Sequence, residues 1–170
     1  MFPTKRILAL SALVALAALT SCNGDIDDPD GPNVFLEAEN LVIPPVTAAT
    51  DETTGACTFT LTNSNATFRN KPKNEAGATS PFNDIVLESV LVSYDWGVGG
   101  APLPDAQFGI GGVVPANGTA PAQFSVISAN ALIPYEGQSA GLTLTFLGHT
   151  ISGEPVAFTT GGSLNVSVCQ

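Results

Sequence analysis

Apolar and polar residues alternate with a period of two at several places along this chain, and each such run predicts a strand with one buried face. Val34, Leu36 and Ala38 alternate with Phe35, Glu37 and Glu39. Cys57-Thr58-Phe59-Thr60-Leu61-Thr62 is the cleanest run; Cys57, Phe59 and Leu61 are expected to face inward and the threonines outward. Val90, Val92 and Tyr94 alternate with Leu91, Ser93 and Asp95 inside a longer run from Asp84 to Trp96, long enough to bend or to form two strands. Shorter strands are expected over Phe108–Val114, Gln123–Ser128, Leu142–Phe146, Val156–Thr159 and Leu164–Cys169. Turn formers separate them: Pro44-Pro45, Thr50 to Gly55, Gly97 to Pro104, Pro115 to Gly118, Gly148, Gly153-Glu154-Pro155 and Gly161-Gly162. Residues 63–83 read as a long polar, irregular connection. Strands recurring about every 8–12 residues between turn signals predict an all-β antiparallel sandwich of about seven to nine strands.

From Glu88 onward a Val-Tyr strand, a Phe-Gly strand, a Val-Pro turn, Leu142-Thr143-Leu144-Thr145-Phe146-Leu147-Gly148 and a closing Val-x-Val strand follow one another. This succession resembles immunoglobulin-like and fibronectin type III modules, and implies two sheets packed face to face. The resemblance covers about half the chain, and the cysteine spacing around a core tryptophan found in antibody domains is not met.

The N-terminus breaks the alternation. Lys5 and Arg6 precede an uncharged apolar run from Ile7 to Ala18, the layout of a secretory signal. The run is shorter than the roughly 20 residues a membrane-spanning helix needs. It closes on Leu19-Thr20-Ser21-Cys22, which resembles the lipobox of bacterial lipoproteins: an aliphatic residue, two small ones, then cysteine. The resemblance implies a diacylglycerol in thioether linkage on Cys22, cleavage before it, acylation of the new N-terminus with a chain such as palmitate, and a membrane held through that lipid. Two other readings stay open: an ordinary signal cut after Ala17 or Ala18, leaving Cys22 a free thiol, and an uncleaved anchor helix. Asn23 after the cysteine, in place of aspartate, points by analogy with enteric lipoproteins to the outer membrane of a bacterial cell envelope.

The expected organisation is a signal over 1–21, a flexible acidic tether over 22–33 and a sandwich over 34–170. Within the tether, Asp25-x-Asp27-x-x-Asp30-Gly31 looks like a calcium loop, but Pro29 departs from its spacing and no bidentate glutamate follows. A solvated linker is the better reading.

Charge narrows the partners. With Lys5 and Arg6 removed, three basic residues remain against fifteen acidic ones, a net charge of −12. Such a balance disfavours nucleic acid and anionic membrane surfaces, because both repel it, and leaves a protein or a polysaccharide as a partner beside the membrane held through lipid. The three basic residues, Arg69, Lys71 and Lys73, cluster in the 63–83 segment, read as a solvated loop that could also dock an acidic partner or the domain's own acids.

The chain has three cysteines. If Cys22 carries lipid, Cys57 and Cys169 remain as a pair, and export places them in an oxidising compartment. They are expected to be joined, although Cys169 shares the parity of Asn165 and Ser167 rather than that of Val166 and Val168. Either a bulge shifts the register or the bridge lies at a sheet end. No cofactor or metal is expected: the sole histidine, His149, falls at an expected turn, and no zinc set can be built from it and a joined cysteine pair. No catalytic residue stands out, although carboxylate pairs of a hydrolase remain conceivable among fifteen acids. Trp96 and Tyr135, expected at loop edges, are the candidate ligand-binding residues, because aromatic faces stack on sugars. The chain reads first as a non-catalytic binding or structural module, and second as a carbohydrate-binding accessory lipoprotein.

Overall fold

In a computed structural model of the chain, residues 33–74, 79–97, 103–129, 132 and 135–169 are described. The fold is an all-β antiparallel sandwich. Its strands are β1 (Val34–Val42), β2 (Thr47–Thr50), β3 (Cys57–Thr60), β4 (Ser64–Pro72), β5 (Ile85–Asp95), β6 (Ala106–Val114), β7 (Thr119–Phe124), β8 (Ser139–Thr150) and β9 (Pro155–Asn165). One sheet has the order β1-β4-β7 and the facing sheet the order β6-β5-β8-β9, while β2 and β3 form a separate hairpin. Constant immunoglobulin domains place strands A, B, E and D over C, F and G. With β2 and β3 set aside as an insertion, the other seven strands follow that plan except that the fourth, β6, pairs with β5 in the second sheet. The arrangement is therefore three strands over four.

Alternation builds the core. Val34 and Leu36 of β1, Ala66 and Phe68 of β4, Val90 and Val92 of β5, and Leu142, Leu144 and Phe146 of β8 all turn inward and are buried. Phe146 joins the two sheets: its ring meets Phe68 edge-on at 4.8 Å and Phe124 of β7 at 5.1 Å. Such edge-to-face pairs add about 0.5–1.5 kcal/mol each beyond the area they bury.

Several elements differ from the sequence-based expectation. Residues 64–72, expected within an irregular connection, form β4, the central strand of its sheet. Its inward row is Ser64, Ala66, Phe68 and Asn70, so two of four core positions are polar and the hydrophobic alternation is diluted. Conversely, the cleanest alternating run forms only the short β3 at the periphery, and Leu61, expected inside, is 37% exposed. Gly148 and Gly161-Gly162, read as turns, lie inside β8 and β9. Gly148 sits opposite Leu87, where the register shift between Leu87 and Ser89 bends β5, and a Cβ there would collide with the Val86 carbonyl. A Cβ on Gly162 would collide with Ile43 Cδ1. These glycines permit close approach within strands rather than ending them. The Gln123–Ser128 strand is displaced upstream to Thr119–Phe124.

The sandwich has two dissimilar ends. At one, called proximal here, Asn33 leads into β1 and the β4–β5, β6–β7 and β8–β9 connections gather. The other, distal end carries the β2–β3 hairpin, the start of β8 and the C-terminal tail. Among the described residues no helix is long and apolar enough to cross a membrane.

Candidate functional site

Of the residues singled out from sequence, Cys22, the signal segment and the Asp25–Gly31 loop lie outside the described residues. The others fall at the distal end, along or just beyond β4 or, for His149, near the proximal end of β8.

Cys57, the first residue of β3, and Cys169, in the tail beyond β9, form a disulfide across 112 positions, with Cα atoms 5.9 Å apart. The bridge lies at a sheet end, which resolves the parity of Cys169. After Asn165 the chain leaves β9: Val166 forms a parallel bridge with Val46, Ser167 N–H donates to the Val46 carbonyl, and Cys169 N–H donates to Glu136 Oε1 at 2.6 Å. The tail is thus carried to the inserted hairpin and fastened there. Cys57, Glu136 and Cys169 place their donor atoms within 4.8 Å of one another. Joined sulfurs offer no thiolate, so this cluster is a covalent staple with a carboxylate beside it rather than a metal set.

Trp96, directly after β5, and Tyr135, in the β7–β8 connection, stand in loops as expected, but both are buried. They are 8% and 3% exposed, and their rings stack on each other at 4.1 Å with 23° between planes. Tyr94 lies near-parallel to Trp96 at 6.5 Å, and its hydroxyl donates to the Val126 carbonyl at 2.6 Å. The β7–β8 connection folds down over the end of β5, so the aromatic faces meet each other instead of a ligand. Burial, with Asp105 as a lesser cause, pushes the Tyr94 hydroxyl up to about 12. The Trp96 Nε1 atom is buried with no hydrogen-bond partner among the described residues, and the indole meets this cluster through its faces. A sugar platform made of Trp96 and Tyr135 is not what the fold builds.

The basic cluster is likewise absorbed by the domain. On β4, Arg69 reaches Glu39 at 3.4 Å and Lys71 reaches Glu37 at 2.6 Å, both on the neighbouring β1, while Lys73 Nζ lies 5.4 Å from the centre of the Phe35 ring. These are ladder pairs between adjacent strands, half exposed and each of small energetic value. The loop reading is corrected for Arg69 and Lys71, which β4 carries and acids of β1 neutralise; Lys73 follows the strand in a bend. His149, expected in a turn, lies near the end of β8 with Nδ1 3.2 Å from Glu88 Oε1.

Sequence reasoning missed Asn70. This residue is fully buried, and its amide nitrogen donates to the carbonyls of Asn83 at 2.8 Å and Val114 at 3.2 Å. It ties β4 to two proximal connections. Asp84 continues the network, accepting from Ala116 N–H through its carboxylate and from Ile151 N–H through its carbonyl. Only an isolated polar residue in the right parity, Phe68-x-Asn70, hinted at this role. A groove of about 650 Å3 opens where β1 bulges after Glu39; the amides of Asn40, Asn65 and Gln123 surround Val42 and Pro121 there. Its lining is neutral and suits hydrogen-bonding partners rather than ions.

No protein-family model, curated protein or solved structure matches this chain. The class of the domain, an all-β sandwich with a switched fourth strand, therefore rests on its own topology.

Proposed function

We propose that the protein is a lipid-anchored component of a bacterial cell envelope, placed at the outer membrane, whose β-sandwich acts as a binding or structural module without catalysis of its own. The observation that carries this reading is the apolar run Ile7–Ala18 ending in Leu19-Thr20-Ser21-Cys22. The cysteine arithmetic supports it: with Cys57 and Cys169 joined, Cys22 is the one cysteine of three left for lipid. Stable disulfides also belong to exported proteins rather than to the reducing cytosol.

The non-catalytic part draws support from how the titratable groups are used. The chain's single histidine pairs with Glu88, and the basic side chains answer acids or an aromatic ring of the same domain. The carbohydrate-binding alternative loses its platform with the burial of Trp96 and Tyr135 and is not carried further.

The test is metabolic labelling with radioactive palmitate in cells producing the wild type or Cys22→Ala. The wild type is expected to take up label and sediment with membranes, and the variant to lose both. A variant that is still labelled and still in the membrane pellet overturns the reading.

A further inference from the structure

We infer that the proximal end of the sandwich rests on the lipid surface, with Phe82 and Ile151 entering its interfacial layer, so that the distal end points away from the bilayer. This rests on the lipid-anchor reading and goes beyond it, because an anchor on a flexible tether does not by itself orient the domain.

Phe82 is 67% exposed and Ile151 is 52% exposed, the first on the β4–β5 connection and the second on the β8–β9 turn. Backbone bonds hold the two segments side by side: Ser152 N–H donates to the Phe82 carbonyl at 3.1 Å and Ile151 N–H to the Asp84 carbonyl at 2.9 Å. The Ser152 hydroxyl donates to the Phe82 carbonyl as well. Val113, at the same end of β6 and in register with Val86, is 48% exposed. The distal end also exposes Val42, Leu61 and Val168, but Phe82 is the one exposed aromatic side chain among the described residues, and such a ring beside Ile151 on ordered turns fits a shallow interfacial contact better than a binding cavity.

The position of the chain start says what covers them. Asn33 lies at this same end, where its carbonyl accepts from Lys73 N–H beside the start of β1. Only the stretch from Cys22 to Asn33 separates it from the lipidated residue. As the flexible linker expected from its sequence, a stretch of that length would have a root-mean-square span of about 17–20 Å. The eleven-residue β5 is about 36 Å long at strand rise. The end where the chain starts therefore stays nearer the membrane than the far end. Short tethering also raises the effective concentration to about the millimolar range, so a contact too weak to recruit a free protein becomes populated.

Charge does not assist the contact: among the described residues the proximal half holds Glu37, Glu39, Asp84, Glu88 and Glu154 against Arg69, Lys71 and Lys73, so the contact rests on the apolar side chains.

The native chain holds one tryptophan, Trp96, at the distal end. The experiment uses the full lipidated chain in nanodiscs of ordinary or brominated phospholipid, compared with a double variant Trp96→Phe with Phe82→Trp and with Trp96→Phe with Ile151→Trp. Circular dichroism checks the fold of each, and intact mass checks lipidation. Emission from the indole placed at position 82 or 151 is expected to drop strongly in brominated lipid, and that of wild-type Trp96 to stay unchanged. Folded, lipidated variants whose emission is equal in both lipids overturn the contact and leave these side chains to a protein partner. Quenching of wild-type Trp96 overturns the orientation. A chain without acyl mass that washes off the discs overturns the anchor reading, and this inference with it.

Discussion

The two ends of the sandwich are closed by different means. The distal end is shut by a disulfide and by a stack of Trp96 on Tyr135, with Tyr94 bonded to the Val126 carbonyl. The proximal end is shut by short polar side chains, Asn70, Asp84, Thr150 and Ser152, that bond the backbones of adjoining turns. The distal device hides its aromatic residues. The proximal one directs its polar side chains to turn backbones and leaves Phe82 and Ile151 outside. The contrast teaches where stability and contact are invested. The far end, where the chain leaves β9 for the inserted hairpin, is held by a covalent bond. The near end holds its turns rigid enough to present apolar side chains to something else.

That contrast can be broken in order of size. The largest effect is expected from the disulfide. Its loop of more than a hundred residues makes it worth about 4–5 kcal/mol on chain-entropy grounds, so Cys57→Ser with Cys169→Ser should lower the denaturation midpoint by the corresponding amount. Chemical denaturation of wild type and variant, both oxidised, measures it; equal midpoints would mean the tail is held without the bond. Next comes Asn70→Ala, which removes the side-chain bonds to the carbonyls of Asn83 and Val114 at the proximal end and should cost about 2–3 kcal/mol. Hydrogen exchange sharpens the comparison, since protection should fall first in the 81–84 and 114–118 turns while the β2–β3 hairpin keeps its own.

A smaller effect, about 1 kcal/mol, is expected from Tyr94→Phe at the distal end. It carries a pH signature. Because the folded state holds the Tyr94 proton up to about 12 against an ordinary value of 10, the unfolded chain gives it up first. The stabilisation is full below about pH 10 and is lost as pH rises from about 10 to about 12. Denaturation midpoints across that window should fall more steeply for wild type than for Tyr94→Phe. Smallest of all, Phe82→Ser should change stability by no more than about 0.5 kcal/mol, because the side chain is mostly in solvent. A larger loss would show that Phe82 packs as a structural residue, and the asymmetry between the ends would shrink.

How much of this could be read from the sequence depends on the residue. Val34-x-Leu36, Val90-x-Val92 and Leu142-x-Leu144-x-Phe146 announced their strands, because one face of each is almost wholly apolar. β4 did not, since polar residues, Ser64 and Asn70, occupy two of its core positions; distant segments supply partners for the Asn70 amide nitrogen, while Ser64 Oγ is buried without one among the described residues. β3 was overweighted for the opposite reason: an amphipathic pattern shows that one face is covered, not that a large core covers it. The glycines inside β8 and β9 looked like breaks because the demand they answer, room for the Val86 carbonyl and for Ile43, lies elsewhere in the chain. The disulfide followed from cysteine parity, whereas the burial of Trp96 and Tyr135 depended on how one connection folds over another.

The most direct measurement for the central claim is the mass of the N-terminal peptide from protein purified out of bacterial membranes. The account predicts a peptide that begins at Cys22 and carries a diacylglyceryl group on its sulfur and an acyl chain on its amine, with Cys57 and Cys169 recovered as one crosslinked pair. An N-terminus upstream of Cys22, with that cysteine unmodified, would contradict it.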